Sequence, residues 1–192
     1  RFAEIGKKGV LALMSDSTNV ERPGYTMSEQ RVAKSFDDLF AQATGRIFVA
    51  TFASNVSRIQ QIIKIAESRG RKVYVAGRSL QRITEIATEI GYLKIRKGTL
   101  LDDRQLDFVD PDQVVILTTG SQGEPMSALT RMAGGDHRQV QVTQNDLIII
   151  SATPIPGNEK LVGRVVNELL KLGADVVYEK MYEVHVSGHA CQ

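Results

Sequence analysis

Short runs of apolar and β-branched residues alternate along this chain with longer segments of helical periodicity. Such alternation is typical of a parallel sheet whose strands are connected by helices that cover both faces. We therefore predict an α/β fold with three layers, in which a mostly parallel, Rossmann-like sheet is flanked by helices. The predicted strands are residues 10–15, 46–52, 72–77, 114–119, 147–152 and 175–179. The predicted helices cover about residues 26–43, 55–69, 79–90, 125–133 and 158–172, whereas residues 94–113 show no regular pattern.

Residues at the ends of the predicted helices support these boundaries. Thr26 and Glu29 have the spacing of a capping box, in which each side chain accepts a hydrogen bond from an otherwise free amide. Glycine is the residue that most readily adopts the left-handed conformation of a helix C-cap. Glycines at such positions follow four of the predicted segments, namely Gly45, Gly70, Gly91 and Gly173.

The composition narrows the class of protein. With 192 residues, 42% hydrophobic and 24% charged, the chain is predicted to form one globular domain. No apolar run is long enough to cross a bilayer, and the N-terminal residues lack the apolar core of a signal peptide. The single cysteine, Cys191, is compatible with a cytoplasmic location. Because the net charge is only +2, affinity for a polyanion must come from locally arranged groups. The chain begins with Arg1, so we expect a piece of a longer protein.

Small polar side chains and glycines follow each predicted strand. Because the carboxyl ends of parallel strands share one edge of an open α/β sheet, these clusters are expected where such sheets bind ligands. Amides at helix N-termini point towards the same edge, and with the hydroxyl groups they suit a phosphate or another anion. The clusters are SDSTN (15–19), FASN (52–55), GRS (77–79), TGSQGEP (119–125), SATPIPGN (151–158) and HVSGHA (185–190).

Each cluster taken alone also has a purely structural interpretation. Asp16 or Ser17 could order the turn that leaves the first strand, because such side chains bond to nearby backbone amides. Ser54 or Asn55 could be the N-cap of the next helix. A cap does not exclude a binding role, since it leaves other amides of the first turn available to an anion.

Other polar residues of these clusters have alternative roles as well. Arg58 and Arg78 lie where either could reach a phosphate through its planar fork of donors, although solvated surface arginines are common. Pro125 is well placed to open a helix, and the preceding glycines allow a ligand to approach the backbone. That segment lacks the Lys-Ser/Thr ending of a P-loop. His137, in GGDHR, is expected to be a solvated loop residue.

His185 and His189 are four residues apart, the spacing that places two zinc ligands on one face of a helix. The alternation of Val184, His185 and Val186 indicates a strand instead, and Ser-Gly is poor helix material. No third ligand or cysteine cluster accompanies the two histidines, so a complete metal site within the chain is not expected. A histidine beside a carboxylate can move a proton near neutral pH, and Asp16 is the natural partner.

With these residues assembled, the chain closely resembles the β-CASP region of the bacterial ribonuclease J family. The resemblance runs from end to end and in order. It is carried by SDSTN, ERPGYTMSE, TFASNVSRIQQ, GRS, TGSQGEPMSAL, SATPIPGN and HVSGHA.

The resemblance implies roles for individual residues. Asp16 matches the acidic residue of the family's motif A and His189 the histidine of its motif B. The two are expected to pair and to be catalytic, with His189 reaching the scissile phosphate or the leaving oxygen. The pocket that receives an RNA phosphate is expected to be lined by Ser54, Asn55, His185, Ser187 and Gly188.

The resemblance also implies what the longer protein does. Members of the family are zinc-dependent 5′ to 3′ exoribonucleases and endoribonucleases in RNA maturation and decay, and prefer RNA with a 5′-monophosphate. Their two zinc ions lie in a metallo-β-lactamase domain. Residues 1–192 are expected to be a β-CASP fragment that lacks this domain and the C-terminal region, and to be metal-free and inactive alone. The full-length protein is expected to be a homo-oligomer or a complex with a paralogue.

Two other functions stay open. A Rossmann-like module for a small molecule or nucleotide would carry Gly-rich turns at the same edge, although no G-x-G-x-x-G motif opens the first helix. A catalytically idle partner subunit would keep the fold, although the presence of both Asp16 and His189 argues against it.

Overall fold

The computed structural model describes residues 1–191 and divides into two compact units. One unit contains residues 1–27 together with the described residues from Ser187 onward, and the other contains residues 28–186. The second unit holds a parallel sheet of six strands in the order β3-β2-β4-β1-β5-β6. The α/β fold predicted from the sequence is therefore confirmed.

The strands are short and several are completely buried. The four residues of β1 and the five residues of β4 are all buried, which places these strands in the middle of the sheet. The strands are β1 (Ile47–Ala50), β2 (Lys72–Ala76), β3 (Leu100–Leu101), β4 (Val114–Thr118), β5 (Leu147–Ile150) and β6 (Asp175–Tyr178). The helices are α1 (Phe2–Lys7), α2 (Glu29–Gln42), α3 (Val56–Ser68), α4 (Arg78–Glu89), α5 (Ala128–Ala133) and α6 (Glu159–Lys171). Two short 3₁₀ helices cover Leu106–Phe108 and Pro111–Gln113.

Alternating side chains of the strands divide the core into two layers. In β1, Ile47 and Val49 pack with residues of α2, α3 and α4, whereas Phe48 and Ala50 pack with residues of α5 and α6. This division follows from the period of two along a strand, which sends successive side chains to opposite faces. The sheet thus lies between two helix layers, as predicted.

The first predicted strand, residues 10–15, is wrong. The segment has no regular secondary structure, and Leu11, Leu13 and Met14 are 105%, 86% and 96% exposed. An apolar, β-prone sequence forms a strand only where a neighbouring strand accepts its backbone hydrogen bonds. None of the described residues pairs with this segment as a strand.

Several helix boundaries also differ from the prediction. The N-cap of α2 is Ser28, whose hydroxyl accepts from the amide of Gln30 at 3.2 Å, so Thr26 and Glu29 do not form a capping box. Helix α5 begins after Ser127 and not at Pro125. Helix α1 and the two-residue strand β3 were not predicted.

The glycine C-caps are confirmed at three of the four positions. Gly70, Gly91 and Gly173 have φ angles of 70°, 78° and 83°, in the left-handed region. Helix α2 instead ends at Ala43 in an extended conformation, and the buried Gly45 packs against the carbonyl group of Asn145. Within the part of the chain that the structure describes, none of the helices has the length and apolar character needed to cross a bilayer.

Candidate active site

Asp16 and His189 are in direct contact within the first unit. The Nδ1 atom of His189 lies 2.5 Å from Oδ2 of Asp16, and each side chain is about half exposed, at 52% and 51%. The other carboxylate oxygen of Asp16 accepts a hydrogen bond from the amide of Thr18 at 3.0 Å. This amide and, second, the bond from His189 lower the pKa of Asp16 to about 2. Asp16 is therefore an anion throughout the neutral range, with one oxygen on the imidazole.

The loop that carries His189 is fixed by Asn19. Its buried side-chain amide donates to Ser187 Oγ at 3.1 Å and to the carbonyl oxygen of His189 at 3.1 Å. Ser187 Oγ also accepts from the amide of His189 at 3.0 Å, and the Thr26 hydroxyl donates to the same carbonyl oxygen at 2.8 Å. Reasoning from sequence missed the role of Asn19, although it is the last residue of SDSTN. A Cβ atom added to Gly188 would meet nothing within 4 Å, so this part of the loop is open.

Ser54 and Asn55 follow β1 in the second unit. Asn55 is the N-cap of α3, as one of the two structural interpretations predicts, and its Oδ1 accepts from the amide of Arg58 at 3.0 Å. Ser54 is exposed. The two residues thus lie at the carboxyl edge of the sheet, where the sequence clusters were expected.

His185 lies in the same unit, on the segment that follows β6. Its Nδ1 atom is buried and has no hydrogen-bond partner among the described residues. Burial lowers the pKa of His185, and the positive charge of Arg58 lowers it further. The ring is therefore neutral at pH 7, with a polar atom available for a hydrogen bond.

Arg58 does not have the phosphate-binding role that the sequence left open for it. Its side chain is completely buried and forms a two-pronged ion pair with Glu29, with contacts of 3.0 and 2.6 Å. The guanidinium group also donates to Ser151 Oγ at 2.5 Å and to the carbonyl oxygen of Val184 at 3.2 Å. Ser151 donates to that carbonyl oxygen as well, at 2.7 Å. These contacts fix the peptide that precedes His185.

Two further expectations concern basic residues near β2 and β4. Arg78 is exposed at the start of α4, where it was predicted to lie. The prediction for His137 is wrong, because it is 8% exposed and its Nδ1 accepts from the amide of Val140 at 3.2 Å. Burial lowers the pKa of His137, and Arg131 adds to this effect.

The described residues do not form a zinc site. No group of three or more His, Cys, Asp or Glu side chains among them is arranged to hold a metal ion. Asp16 and His189 supply two donors, and zinc in proteins takes at least three protein ligands.

Comparison with known proteins identifies relatives along the whole chain. The sequence profile of the family described as Ribonuclease J, beta-CASP domain, matches residues 44–169. The chain is 49% identical to the Ribonuclease J of Thermus thermophilus over 192 residues, all of this chain and 33% of that protein. It is 48% identical to the Ribonuclease J of Mycolicibacterium smegmatis over 189 residues, 98% of this chain and 34% of that protein. It is 45% identical to the Ribonuclease J of Helicobacter pylori strain J99 over 192 residues, all of this chain and 28% of that protein.

The chain spans about a third or less of the length of these relatives. The profile covers the sheet from just before β1 into α6, while the identity with the relatives extends over Asp16 and the HVSGHA loop. Both matches lead to the same family as the ordered motifs of the sequence. This chain belongs to the ribonuclease J family, and its residues 44–169 match the β-CASP domain of that family.

Proposed function

We propose that this chain is the RNA-binding β-CASP part of a ribonuclease J, and that Asp16 and His189 act in phosphodiester hydrolysis by the longer protein. The observation that carries the proposal is the 2.5 Å contact between the imidazole and the ionised carboxylate. A carboxylate on Nδ1 orients the ring and leaves Nε2 free for a proton or a phosphate oxygen.

The roles of the two residues follow from this geometry. Asp16 orients and polarises the imidazole, while Nε2 of His189 donates a hydrogen bond to the scissile phosphate or a proton to the leaving oxygen. Asn19 holds the His189 carbonyl group, and so keeps the backbone of the loop in place beneath the ring. A misplacement of about 1 Å can cost an enzyme two orders of magnitude in rate, so this support matters for catalysis.

The phosphate-binding residues are proposed on separate grounds in each unit. Ser187 and Gly188 lie on the loop of His189, where an open glycine allows close approach to the backbone. Ser54 and Asn55 precede the first turn of α3, whose amides favour an anion. His185 is neutral and offers a buried ring nitrogen without a partner.

Kinetics of the full-length protein test the catalytic pair. We expect His189→Ala to reduce turnover of 5′-monophosphorylated RNA by roughly 10²-fold or more, the usual range for lost proton-transfer help. Asp16→Asn should also reduce turnover. The double variant should be only slightly less active than the less active of the two single variants, because the pair acts as a unit. Asp38→Asn, which removes an exposed carboxylate on α2, is the matched control and should keep full activity.

Three results would contradict the assignment. Losses that multiply in the double variant would mean that the residues act independently. Loss of bound metal from the His189→Ala protein would make this residue a ligand. A full-length wild-type protein that binds RNA without cleaving it would indicate the idle partner subunit instead.

We also propose that two zinc ions of the full-length enzyme are held by its metallo-β-lactamase domain and not by this chain. Metal analysis of residues 1–192, purified without chelators, should therefore find well below one zinc per chain, since a stable site needs three or four ligands. The full-length protein prepared in the same way is the positive control. About one zinc per chain in the short protein would show that Asp16 and His189 recruit a metal.

The remaining properties are proposed from family membership. They are 5′ to 3′ exoribonuclease activity with a preference for a 5′-monophosphate, endoribonuclease activity, and a part in mRNA decay and rRNA processing. A cytoplasmic location and assembly as a homo-oligomer or with a paralogue are proposed on the same basis.

A further inference from the structure

A cleft at the carboxyl edge of the sheet is lined by none of the residues assigned above to catalysis or phosphate binding. The β2–β4 cleft, of about 690 Å³, lies between the turn after β2 and the turn after β4. Known ligand sites have volumes of about 300–1,000 Å³, so a mononucleotide fits this space. The strands β2 and β4 are neighbours in the sheet, but α4 leaves towards one face and α5 towards the other. A crevice between connections that diverge in this way is the general ligand site of open α/β sheets.

Positive groups are among the residues that line this cleft. Helix α4 is 12 residues long and begins at its rim, and no side chain caps its first amides. Its N-cap, Gly77, has a φ of 108°, and a Cβ atom there would lie 2.7 Å from Thr119 Oγ1. The absence of a side chain therefore keeps the two turns close. Arg78 and Arg131 line the cleft, and among the described residues neither forms an ion pair with a carboxylate.

A buried histidine adds an unused donor. His137 lines the cleft and is 8% exposed, and its Nδ1 accepts from the amide of Val140. In the neutral ring the proton must then be on Nε2. No described residue accepts a hydrogen bond from this nitrogen, so it is available to a ligand in the cleft.

Two carboxylates in the same cleft disfavour a bare anion. The carboxylates of Asp103 and Glu124 also line it, and Asp103 already accepts from Tyr74 at 2.9 Å and from Gln139 at 3.3 Å. A ligand that carries hydrogen-bond donors as well as negative charge would match both the arginines and these carboxylates. Met126, which is 85% exposed at the rim, offers a flexible apolar side chain on which a flat ring can pack.

We propose that the β2–β4 cleft binds the phosphate group of a ribonucleotide, with Arg78, Arg131, His137 and the first amides of α4 on the phosphate. The sugar hydroxyls and the amino group of the base then face Asp103 and Glu124. The phosphate belongs to a free mononucleotide or to an RNA strand. The proposal does not depend on the catalytic roles of Asp16 and His189.

Protection of arginine from phenylglyoxal, read by mass spectrometry on the full-length protein, tests the site at a single residue. We expect AMP to protect Arg78, whereas adenosine, which lacks the phosphate, does not. Arg82, one turn further along α4, is exposed outside the cleft and should react equally with and without AMP. A nuclease-resistant RNA hexamer without terminal phosphates is the second arm. If AMP protects Arg78 at a lower concentration than the RNA does, the cleft is a mononucleotide site. If the RNA protects at the lower concentration, the cleft binds a strand.

Substitutions give an independent readout. The ligand used is whichever of AMP and the RNA protects at the lower concentration. In Arg78→Ser, the concentration of this ligand that protects Arg131 should rise about tenfold or more, because a charge-assisted hydrogen bond is lost. Arg82→Ser should change this concentration by less than about twofold. The proposal is overturned if neither AMP nor RNA protects Arg78, or if adenosine protects it as well as AMP does. It is also overturned if the two substitutions have equal effects.

Discussion

At the scale of the residue, Asp16 shows how a carboxylate can be kept ionised without burial. The largest cause of its low pKa is the amide of Thr18, two residues along the chain, and the bond from His189 comes second. A group whose folded pKa lies below the unfolded value of 3.8 stabilises the fold above that pH. This contribution is lost as the pH falls from about 3.8 towards 2.

Carbon NMR of the Asp16 carboxyl group, titrated in the 192-residue chain, tests the order of these causes. We expect a midpoint near 2 in the wild type and a higher midpoint in His189→Ala that still lies below 3.8, because the Thr18 amide remains. The chain unfolded in urea supplies the reference value. A midpoint in His189→Ala equal to that reference would make the histidine, and not the backbone, the main cause.

The sequence identified Asp16 and His189 but not the residue whose hydrogen bonds hold the loop of His189. The resemblance placed Asp16 and His189 together because each lies in a motif. Asn19 lies in the same motif, but its contacts depend on a loop 168 and 170 residues away. A short side chain of this kind has many possible local partners, and only the folded chain selects among them.

At the scale of the element, Arg58 connects parts of the second unit that are far apart in sequence. From α3 it reaches Glu29 at the start of α2, Ser151 after β5 and the carbonyl oxygen of Val184. A completely buried cation is tolerated because each of these groups accepts a hydrogen bond from it.

Urea unfolding of Arg58 variants measures this contribution. Arg58→Ala should lower the free energy of unfolding by about 3–5 kcal/mol, because it leaves Glu29 and the buried Ser151 Oγ without their donor. Arg69→Ala is the matched control, since Arg69 follows the same helix and pairs with Asp37 of α2 at the surface. Its loss should cost about 1 kcal/mol or less. Equal losses in the two variants would mean that Arg58 adds nothing beyond an ordinary surface pair.

The elements that the sequence predicted share a physical property. Strands β1, β4 and β5 are almost completely buried on both faces, so continuous apolar runs identify them. Strand β3 has only two residues and lies at the edge of the sheet, where no apolar run is required. The start of α5 was placed too early because Pro125 suits a first turn, but Ser127 supplies the side-chain cap.

At the scale of the whole molecule, the two units differ in how their backbones are hydrogen-bonded. Among the described residues, no group accepts a hydrogen bond from the amides of residues 10–15, whereas β4 is paired on both sides. The apolar side chains of residues 10–15 are also exposed. Apolar side chains exposed together in this way are uncommon on the surface of a folded monomer.

Hydrogen exchange of the 192-residue chain should reflect this difference. We expect amides 10–15 to exchange at nearly unprotected rates, and those of β1 and β4 only when the sheet unfolds. Peptides from β4 in the same sample are the internal control. The same segment in the full-length protein should exchange more slowly if the remaining chain covers it. Strong protection of residues 10–15 in the 192-residue chain would show that the amides of this segment have hydrogen-bond partners.

The order of the strands has a consequence for the growing polypeptide. Strand β1 is central, but it pairs only with β4 and β5, through Val115 and Leu147 opposite Ile47. Strand β2 cannot join it, because β4 lies between them. A nascent chain that has released β1, α3 and β2 from the ribosome therefore holds the wholly apolar strand β1 with both edges open until β4 emerges. Sheet formation must wait for distant contacts, which slows folding and leaves these edges available to chaperones or to aggregation.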